Sequence, residues 1–417
     1  MMRLSLMLFG LALACAAPAR GETLALTGAT VHTMGPAGTV EDATVVVTDG
    51  RIVAVGRDVA VPGGAEHIDA GGKVITPGIV SAFGQLGLVE VGAVVESVDY
   101  VQRGERFSAA FDVADAYNPR STLIAVNRSE GVTTALVAPR AAPPDPLGHS
   151  SHVLSGLAAL VSLGDGPFLE RRAAALVANL GEAGSAVAAN SRAAAILVLR
   201  TALDDALDYR RNKAAYDRGE RRDYSVSRPD LEALLLVLDG RIPLLAHVDR
   251  ASDISVLLEL AAGYAMRVAI VGGAEAWMIA EDIAAAGVPV ILDGMTNLPT
   301  GFDRLNARLD AASILLRAGV DVSFGGSSAN QTHNARNLTQ AAGIAVANGL
   351  PWDAALRAIT LVPAEVYGVA DRIGSIEPGK QADFVIWPAD PLELTTYPDA
   401  VYIRGVATSM SSRQTLL

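Results

Sequence analysis

The central part of the chain, from about residue 73 to residue 371, alternates short apolar runs with helical stretches. This alternation is typical of βα units, in which helices cover a buried parallel sheet. The runs that fit strands are residues 74–80, 132–138, 158–163, 242–248, 267–271, 288–292 and 320–324. The predicted helices include residues 230–238 and 274–286, and a long alanine-rich stretch at 168–211 with a break near 181–185. We therefore predict an α/β fold around a parallel sheet.

The first of these runs continues into residues 74–87, which read VITPGIVSAFGQLG. Residues two apart on a strand point to the same side, so Phe83 and Gln85 are expected to project together at the end of that strand. The segment resembles the first barrel strand of the amidohydrolase superfamily, which usually reads Pro-Gly, two hydrophobic residues, then Asp-x-His-x-His. In this chain Ser81 stands at the Asp position, and Phe83 and Gln85 stand at the two His positions.

Two further motifs carry the same resemblance. Residues 131–134 read GVTT, as the second barrel strand of the family does, and residues 374–387 read GSIEPGKQADFVIW, similar to the segment that leaves the barrel. The chain is most similar to the imidazolonepropionase-like branch, whose members hydrolyse cyclic amides and related C–N bonds. The resemblance implies a TIM-like (β/α)8 barrel over residues 73–372.

Both ends of the chain read as short strands separated by turn residues. Asp49-Gly50 between two apolar runs predicts a hairpin near the N-terminus, and FVIW and VYIRGV follow the barrel. A β unit of this size cannot bury both of its faces alone. We therefore expect residues 22–72 and 373–417 to form one composite β-sandwich, as the resemblance also implies.

Active members of the family hold a divalent metal, commonly zinc, that activates water, and the resemblance assigns its ligands to six positions. Beyond Phe83 and Gln85, the fifth strand keeps His247, whereas Gly272 replaces the His of the sixth strand and Ser327 replaces the Asp of the eighth. The fourth strand of the family often supplies a lysine, but the three lysines of this chain, Lys73, Lys213 and Lys380, lie elsewhere. Only the His247 position is retained, and no bound metal or other cofactor is expected.

Other polar residues are predicted at the same rim of the barrel. Asp293 follows the seventh strand and His333 lies just beyond the eighth, so His247, Asp293 and His333 are candidates for metal-free acid–base chemistry. Phe83, Gln85, Gly272 and Ser327 are expected to line the pocket. His247 could equally be a hydrogen-bonded packing residue.

The polar block at residues 100–119 has no assigned chemistry. It contains Arg103, Glu105, Arg106 and Asp112. These side chains could line the cleft, but ion pairing among them is the favoured interpretation.

The N-terminus has the layout of a secretory signal peptide over residues 1–21: Arg3, an apolar run at 4–14, then small residues. Cys15 sits in LALAC, which resembles a bacterial lipoprotein cleavage box, although ordinary signal-peptidase cleavage is the favoured alternative. We expect an exported protein, either periplasmic or an outer-membrane lipoprotein anchored at Cys15. No other segment reads as membrane-spanning.

Two functions fit these observations. The first is an exported hydrolase of C–N bonds other than peptide bonds, with a degenerate metal site. The second is a catalytically inactive pseudoenzyme that binds a small molecule or a protein partner. The net charge of −12 argues against nucleic acid as a partner, because phosphate binding needs clustered Lys and Arg. The oligomeric state is not predicted.

Overall fold

The computed structural model describes residues 23–102, 107–141, 152–295, 297–325 and 334–417. Two sheets contain the strands of these residues. The strands, in chain order, are β1 (Thr23–His32), β2 (Thr39–Thr48), β3 (Arg51–Gly56), β4 (Glu66–Asp69), β5 (Val74–Pro77), β6 (Ile79–Gly84), β7 (Val132–Val137), β8 (Leu154–Ser162), β9 (Leu169–Asn179), β10 (Leu244–Val248), β11 (Val268–Gly272), β12 (Val290–Leu292), β13 (Val322–Phe324), β14 (Phe384–Trp387), β15 (Ala400–Ile403) and β16 (Val406–Ala407).

The helices mostly follow the barrel strands. They are α1 (Thr122–Arg128), α2 (Gly181–Val187), α3 (Arg192–Asp217), α4 (Arg228–Leu238), α5 (Ala251–Tyr264), α6 (Ala280–Ala285), α7 (Ala311–Arg317), α8 (Leu338–Ala347), α9 (Trp352–Ala358) and α10 (Leu361–Val366). Short 3-10 turns lie at Val95–Ser97, Val113–Asp115, Ala276–Ile279, Phe302–Arg304 and Ala335–Asn337. Among the described residues no single helix is long and apolar enough to cross a membrane, and α2 with α3, bent by 79°, passes that test only as a pair.

Eight strands, β6 to β13, form a nearly closed barrel in chain order. Among the described residues its two edges meet without a hydrogen-bonded ladder: a Cβ added to Gly325, just after β13, would lie 2.9 Å from the backbone nitrogen of Phe83 on β6. The prediction of an α/β fold with a barrel is confirmed, but the barrel is not wholly parallel. Strand β8 runs antiparallel to both β7 and β9, while the other neighbouring pairs are parallel.

The alanine-rich stretch at 168–211, predicted as a helix broken near 181–185, is helical only in its second part: residues 169–179 form β9, in a hairpin with β8, and α2 and α3 follow. The turn of the hairpin contains Gly164, Asp165, Gly166 and Pro167, and the amide of Ser162 donates to the carbonyl of Phe168 at 2.7 Å. Gly, Asp and Pro favour turns, so this segment allows the chain to reverse direction between β8 and β9. Ala174 and Ala175 are buried in β9, where small side chains fill the barrel interior.

A plug of apolar side chains fills the barrel axis, as expected for a barrel of this size. Leu136, Leu160, Val177, Leu245 and Ile291 belong to this buried cluster. Helix α10 adds Val362 and Val366 at the end where the strands begin, and the hydroxyl of Tyr367 donates to the carbonyl of Ala82. The barrel is therefore closed at that end, and open at the end where the strands finish.

The second sheet is built from both chain ends in the order β16-β15-β14-β5-β1-β2-β3, with β4 paired to β1. The described strands outside the barrel thus form one hydrogen-bonded sheet, and the sandwich with two layers remains a prediction. The run at 74–80, predicted as one barrel strand, is divided at Gly78: β5 belongs to this sheet and β6 begins the barrel. A Cβ at Gly78 would lie 2.1 Å from Oγ1 of Thr133, so this junction requires glycine.

A buried carboxylate connects the two sheets. Glu170 on β9, with its side chain 2% exposed, binds Arg372 at 3.1 Å and also pairs with Arg404. Close by, Asp383 accepts a hydrogen bond at 2.7 Å from the amide of Arg404. Burial raises the pKa of Asp383 to about 7, with Glu170 adding repulsion. The polar residues of the GKQAD segment thus serve the junction between the sheets.

Candidate functional site

The open end of the barrel contains a cavity of about 380 Å³. Its lining comes from the ends of several barrel strands, which is where barrel enzymes place their sites. Asn179 ends β9, His247 lies on β10, and Gly272 ends β11, while Arg140 follows β7. The ladder places His247 opposite Asn179 on one side and Val271 on the other. Parallel register therefore brings these residues to one rim.

His247 contacts the cavity and the barrel interior at once. Its ring meets the ring of Phe83 edge to face, with 4.8 Å between centroids and an interplanar angle of 88°. Its Nε2 is buried and has no hydrogen-bond partner among the residues that the structure describes. Burial, and secondarily the charge of Arg140, lower the pKa of His247 to about 3. The imidazole is therefore neutral near pH 7 and a weak general base there.

Gly272 is coupled to Asp249, which follows His247 by two residues. The backbone of Gly272 has φ of +99°, and a Cβ there would lie 2.6 Å from Oδ1 of Asp249. That oxygen accepts a hydrogen bond at 3.0 Å from the amide of Ala274. Burial raises the pKa of Asp249, and the nearby charge of Arg304 opposes the shift. The carboxylate thus occupies the space into which any side chain at position 272 would extend.

The two residues at the His positions of the first strand are both buried. Phe83 is 1% exposed and Gln85 is 0% exposed. Within the described residues, neither Oε1 nor Nε2 of Gln85 has a hydrogen-bond partner. Because a buried polar group without a partner loses its hydration without compensation, this carboxamide carries a cost of about 1–3 kcal/mol.

Asp293 follows β12 and is 1% exposed. Its Oδ1 accepts a hydrogen bond from the amide of Met295 at 3.3 Å. Its charge acts on Arg140, the same guanidinium that lowers the pKa of His247. Arg140 thus interacts electrostatically with both Asp293 and His247. The other candidate residues, His333 and Ser327, lie outside the described residues.

The described residues at this rim do not provide a donor set that fits a zinc ion. Phe83 cannot coordinate a metal, a neutral carboxamide is a poor zinc ligand, and Gly272 has no side chain. Within the described ranges, no group of three or more His, Cys, Asp or Glu side chains could hold a metal ion.

The charged cavity residues that the sequence reasoning missed are Arg140, Glu182, Asp249, Asp303 and Arg304. Asp249 could have been found, because residues 247 and 249 in the run LLAHVD share one side of a strand. Arg140, three residues beyond β7, and Arg304, in a 3-10 turn, lie on connecting segments without a strand pattern.

A structural ion network supports one wall of the cavity. Asp303, 4% exposed, accepts a hydrogen bond at 2.6 Å from the amide of Glu182, in the first turn of α2. Arg192 binds Asp303, and also binds Asp253 at 3.1 Å. These contacts fix α2 beside the cavity.

The block at residues 100–119 is described in part. Asp112 pairs with Arg172 at 2.8 Å and accepts a hydrogen bond at 3.0 Å from the amide of Ala114. Arg103, Glu105 and Arg106 lie outside the described residues. Asp112 therefore has a structural ion-pair role, with a partner on β9.

Comparison with known proteins identifies the class. The sequence model of the amidohydrolase family matches residues 188–408, more than half of the chain. The chain therefore belongs to the amidohydrolase family, and the resemblance found in its motifs is confirmed.

Solved structures share the fold. An amidohydrolase from Thermotoga maritima MSB8 is 24% identical, with a TM-score of 0.82 over 93% of this chain and 99% of that chain. Molinate hydrolase is 19% identical, with a TM-score of 0.56 over 94% of this chain and 95% of that chain.

Two proteins match over short segments. Amidohydrolase tasK of Hapsidospora irregularis is 38% identical over 78 residues, 19% of this chain and 8% of that protein. Imidazolonepropionase of Erwinia tasmaniensis is 46% identical over 63 residues, 14% of this chain and 16% of that protein. The chain thus spans only a small part of either protein.

Proposed function

We propose that this protein binds a small polar molecule in the cavity at the barrel mouth, without the catalytic metal of its family. The observation that carries the proposal is the contact between Phe83 and His247, with ring centroids 4.8 Å apart. The ring of Phe83 packs against His247, which stands at the one retained ligand position. It thus puts a hydrocarbon where the family places a second imidazole. The metal site is then degenerate, as the sequence alone suggested.

Energetics support this proposal. A complete set of ligands holds structural zinc by about 10–16 kcal/mol in zinc-finger peptides, and one imidazole provides no chelate. Asp249 is near His247 but is held by the amide of Ala274, and burial favours its neutral form.

The remaining cavity chemistry suits a small polar ligand with both donors and acceptors. Arg140 and Arg304 contribute positive charge to the lining, and Glu182 and Asp249 contribute carboxyl groups. The volume of about 380 Å³ lies within the range of about 300–1,000 Å³ that is usual for ligand pockets.

The second candidate function is metal-independent hydrolysis of a C–N bond other than a peptide bond. Family membership favours it, as do the names of the matched proteins, among them molinate hydrolase and imidazolonepropionase. In this chain the Asp249 carboxyl, with its raised pKa, is better suited to donate a proton than His247 is to accept one.

Metal analysis and binding assays test both candidates. Protein produced with added zinc and manganese should contain far less than one metal ion per chain by mass spectrometry; stoichiometric metal would overturn the metal-free site. A panel of cyclic amides, ureas and N-acyl amino acids should include compounds that raise the melting temperature of the wild type. Arg140→Gln should abolish that increase. Binding at the cavity would be contradicted if no compound of the panel behaved in this way.

The same panel separates binding from hydrolysis. Compounds that bind and are recovered intact support the inactive alternative. Turnover that resists chelators and falls at least 100-fold in Asp249→Asn supports the hydrolase.

We also propose export, on the basis of the N-terminal sequence alone. The mature protein should lack residues 1–21 if an ordinary signal peptidase acts, or should begin at a lipid-modified Cys15 if the lipoprotein alternative holds. Mass spectrometry of the N-terminal peptide from periplasmic and membrane fractions distinguishes the two, and an unprocessed cytoplasmic chain would contradict export.

A further inference from the structure

A groove outside the barrel mouth has no role in the proposed function. It lies between α3 and α5 and has a volume of about 500 Å³. We call it the α3–α5 groove and define it by Leu180, Arg192, Ile196, Leu197, Arg200 and Val256. Most of these groups are aliphatic, yet Leu197 is 62% exposed, and the neighbouring Val198 is 46% exposed.

The two arginines of this groove lie on one face of α3. Arg192, Ile196 and Arg200 follow one another at intervals of four, so they share one face of α3. Eight residues of α-helix rise about 12 Å. The groove thus has an apolar centre with an arginine toward each end.

The two arginines differ in their electrostatic surroundings. Arg192 is neutralised by Asp253 at 3.1 Å and by Asp303. Arg200 forms no ion pair within the described residues. Asp204, one turn further along α3, instead accepts a hydrogen bond from the hydroxyl of Tyr264 at 2.6 Å. One end of the groove therefore has a guanidinium without an ion pair among the described residues, next to exposed aliphatic side chains.

We propose that the α3–α5 groove binds a small amphipathic carboxylate, with its anionic group at Arg200 and its aliphatic chain along Ile196, Leu197 and Val256. Charge complementarity favours this ligand, because an uncharged hydrocarbon would form no ion pair with Arg200 and a cation would be repelled by its guanidinium. When the aliphatic chain of the ligand is buried in the groove, the exposed aliphatic surface of the groove is removed from water.

This site is distinct from the cavity at the barrel mouth. Leu180 lines both spaces, but Arg192 stands between them and binds Asp253 on the groove side and Asp303 on the cavity side. The proposal does not depend on whether the cavity binds a ligand or a metal.

Isothermal titration calorimetry of the full chain with sodium octanoate tests the proposal. Octanoate should bind with saturable heat, whereas octylamine should not bind, and 1-octanol should bind at least 10-fold more weakly. Arg200→Gln should weaken octanoate binding at least 10-fold. Leu197→Asp should abolish it, because a carboxylate would then repel the ligand. Both positions are exposed, and an unchanged melting temperature would show that the variants fold.

A matched control lies on the same helix. Arg218 follows the C-terminal end of α3, is exposed and pairs with Glu220 at 2.7 Å, so Arg218→Gln should leave octanoate binding unchanged. The proposal is overturned if octanoate does not bind or if both groove variants bind it like the wild type. It is also overturned if light scattering finds a dimer that Leu197→Asp dissociates, since the groove would then be an interface between copies.

Discussion

The carboxylate of Asp249 occupies the position that a side chain on Gly272 would need: a Cβ on Gly272 would lie 2.6 Å from Oδ1 of Asp249. The family His at this position therefore could not be restored by a single substitution. The carboxylate would have to move, and it would lose its hydrogen bond from Ala274.

We first predict that Gly272→Ala lowers the free energy of unfolding by about 1–3 kcal/mol, because φ of +99° and the clash with Asp249 both oppose a side chain. Urea denaturation measures the effect. In an Asp249→Ala background the cost should be smaller, since only the backbone strain remains. Gly63→Ala, in open space, is the control and should change stability by less than about 0.5 kcal/mol.

A second prediction concerns Gln85, whose buried carboxamide has no hydrogen-bond partner in the part of the chain that the structure describes. Gln85→Met should leave stability unchanged or raise it by about 1–2 kcal/mol, because it removes an uncompensated polar group at nearly constant volume. Thermal and urea unfolding provide the measurement. A loss of more than about 1 kcal/mol would instead show that the amide makes hydrogen bonds in solution.

The titration of His247 gives a third prediction. Its pKa is lowered to about 3 in the folded protein, so the unfolded chain binds the extra proton between that value and the ordinary 6.5. This group should therefore make stability fall as pH drops from 6.5 toward 3. Nuclear magnetic resonance should find the imidazole neutral at pH 5, and Arg140→Gln should raise its pKa. A protonated ring at pH 5 would contradict the buried environment.

Asp383 should have the opposite pH dependence. Its pKa is raised from 3.8 to about 7, so the folded protein holds a proton that the unfolded chain has lost across that range. Its contribution is greatest below pH 3.8 and is lost as pH rises through 7. Comparison of urea unfolding at pH 5 and pH 8 should show a smaller decrease in Asp383→Asn than in the wild type. An equal decrease in both would exclude Asp383 as the source.

The last prediction concerns Glu170, which binds Arg372 and Arg404 between the two sheets. Glu170→Gln should cost about 2 kcal/mol, because both guanidiniums would lose their shared partner; their partial exposure keeps the loss below that of a fully buried pair. Glu220→Gln, in the exposed pair with Arg218, should cost less than about 0.5 kcal/mol. Equal costs for the two variants in urea denaturation would argue against a special role of Glu170.

The sequence predicted the fold where hydrophobic period and family motifs agreed, as at residues 242–248, 267–271 and 320–324. It failed at residues 168–179, because alanine is common both in helices and inside crowded barrels, so the alanine-rich pattern after the turn at Asp165-Gly166-Pro167 fits either structure. At the candidate site, His247 and Gly272 were predicted from the resemblance of their strands to those of the family. Arg140 and Arg304 did not, because connecting segments carry no period from which a side-chain direction can be derived.

The pairing of β14 with β5 has a consequence for the order of folding. Thr76 on β5 receives a hydrogen bond at 2.9 Å from the indole of Trp387, 311 positions further along the chain. During synthesis, the second edge of β5 therefore stays unpaired until nearly the whole polypeptide has been made. Contacts of such long range slow folding, and an uncovered strand edge is a site for aggregation. Chains that end before Phe384 should accordingly be recovered as aggregates, even though every barrel strand has been made.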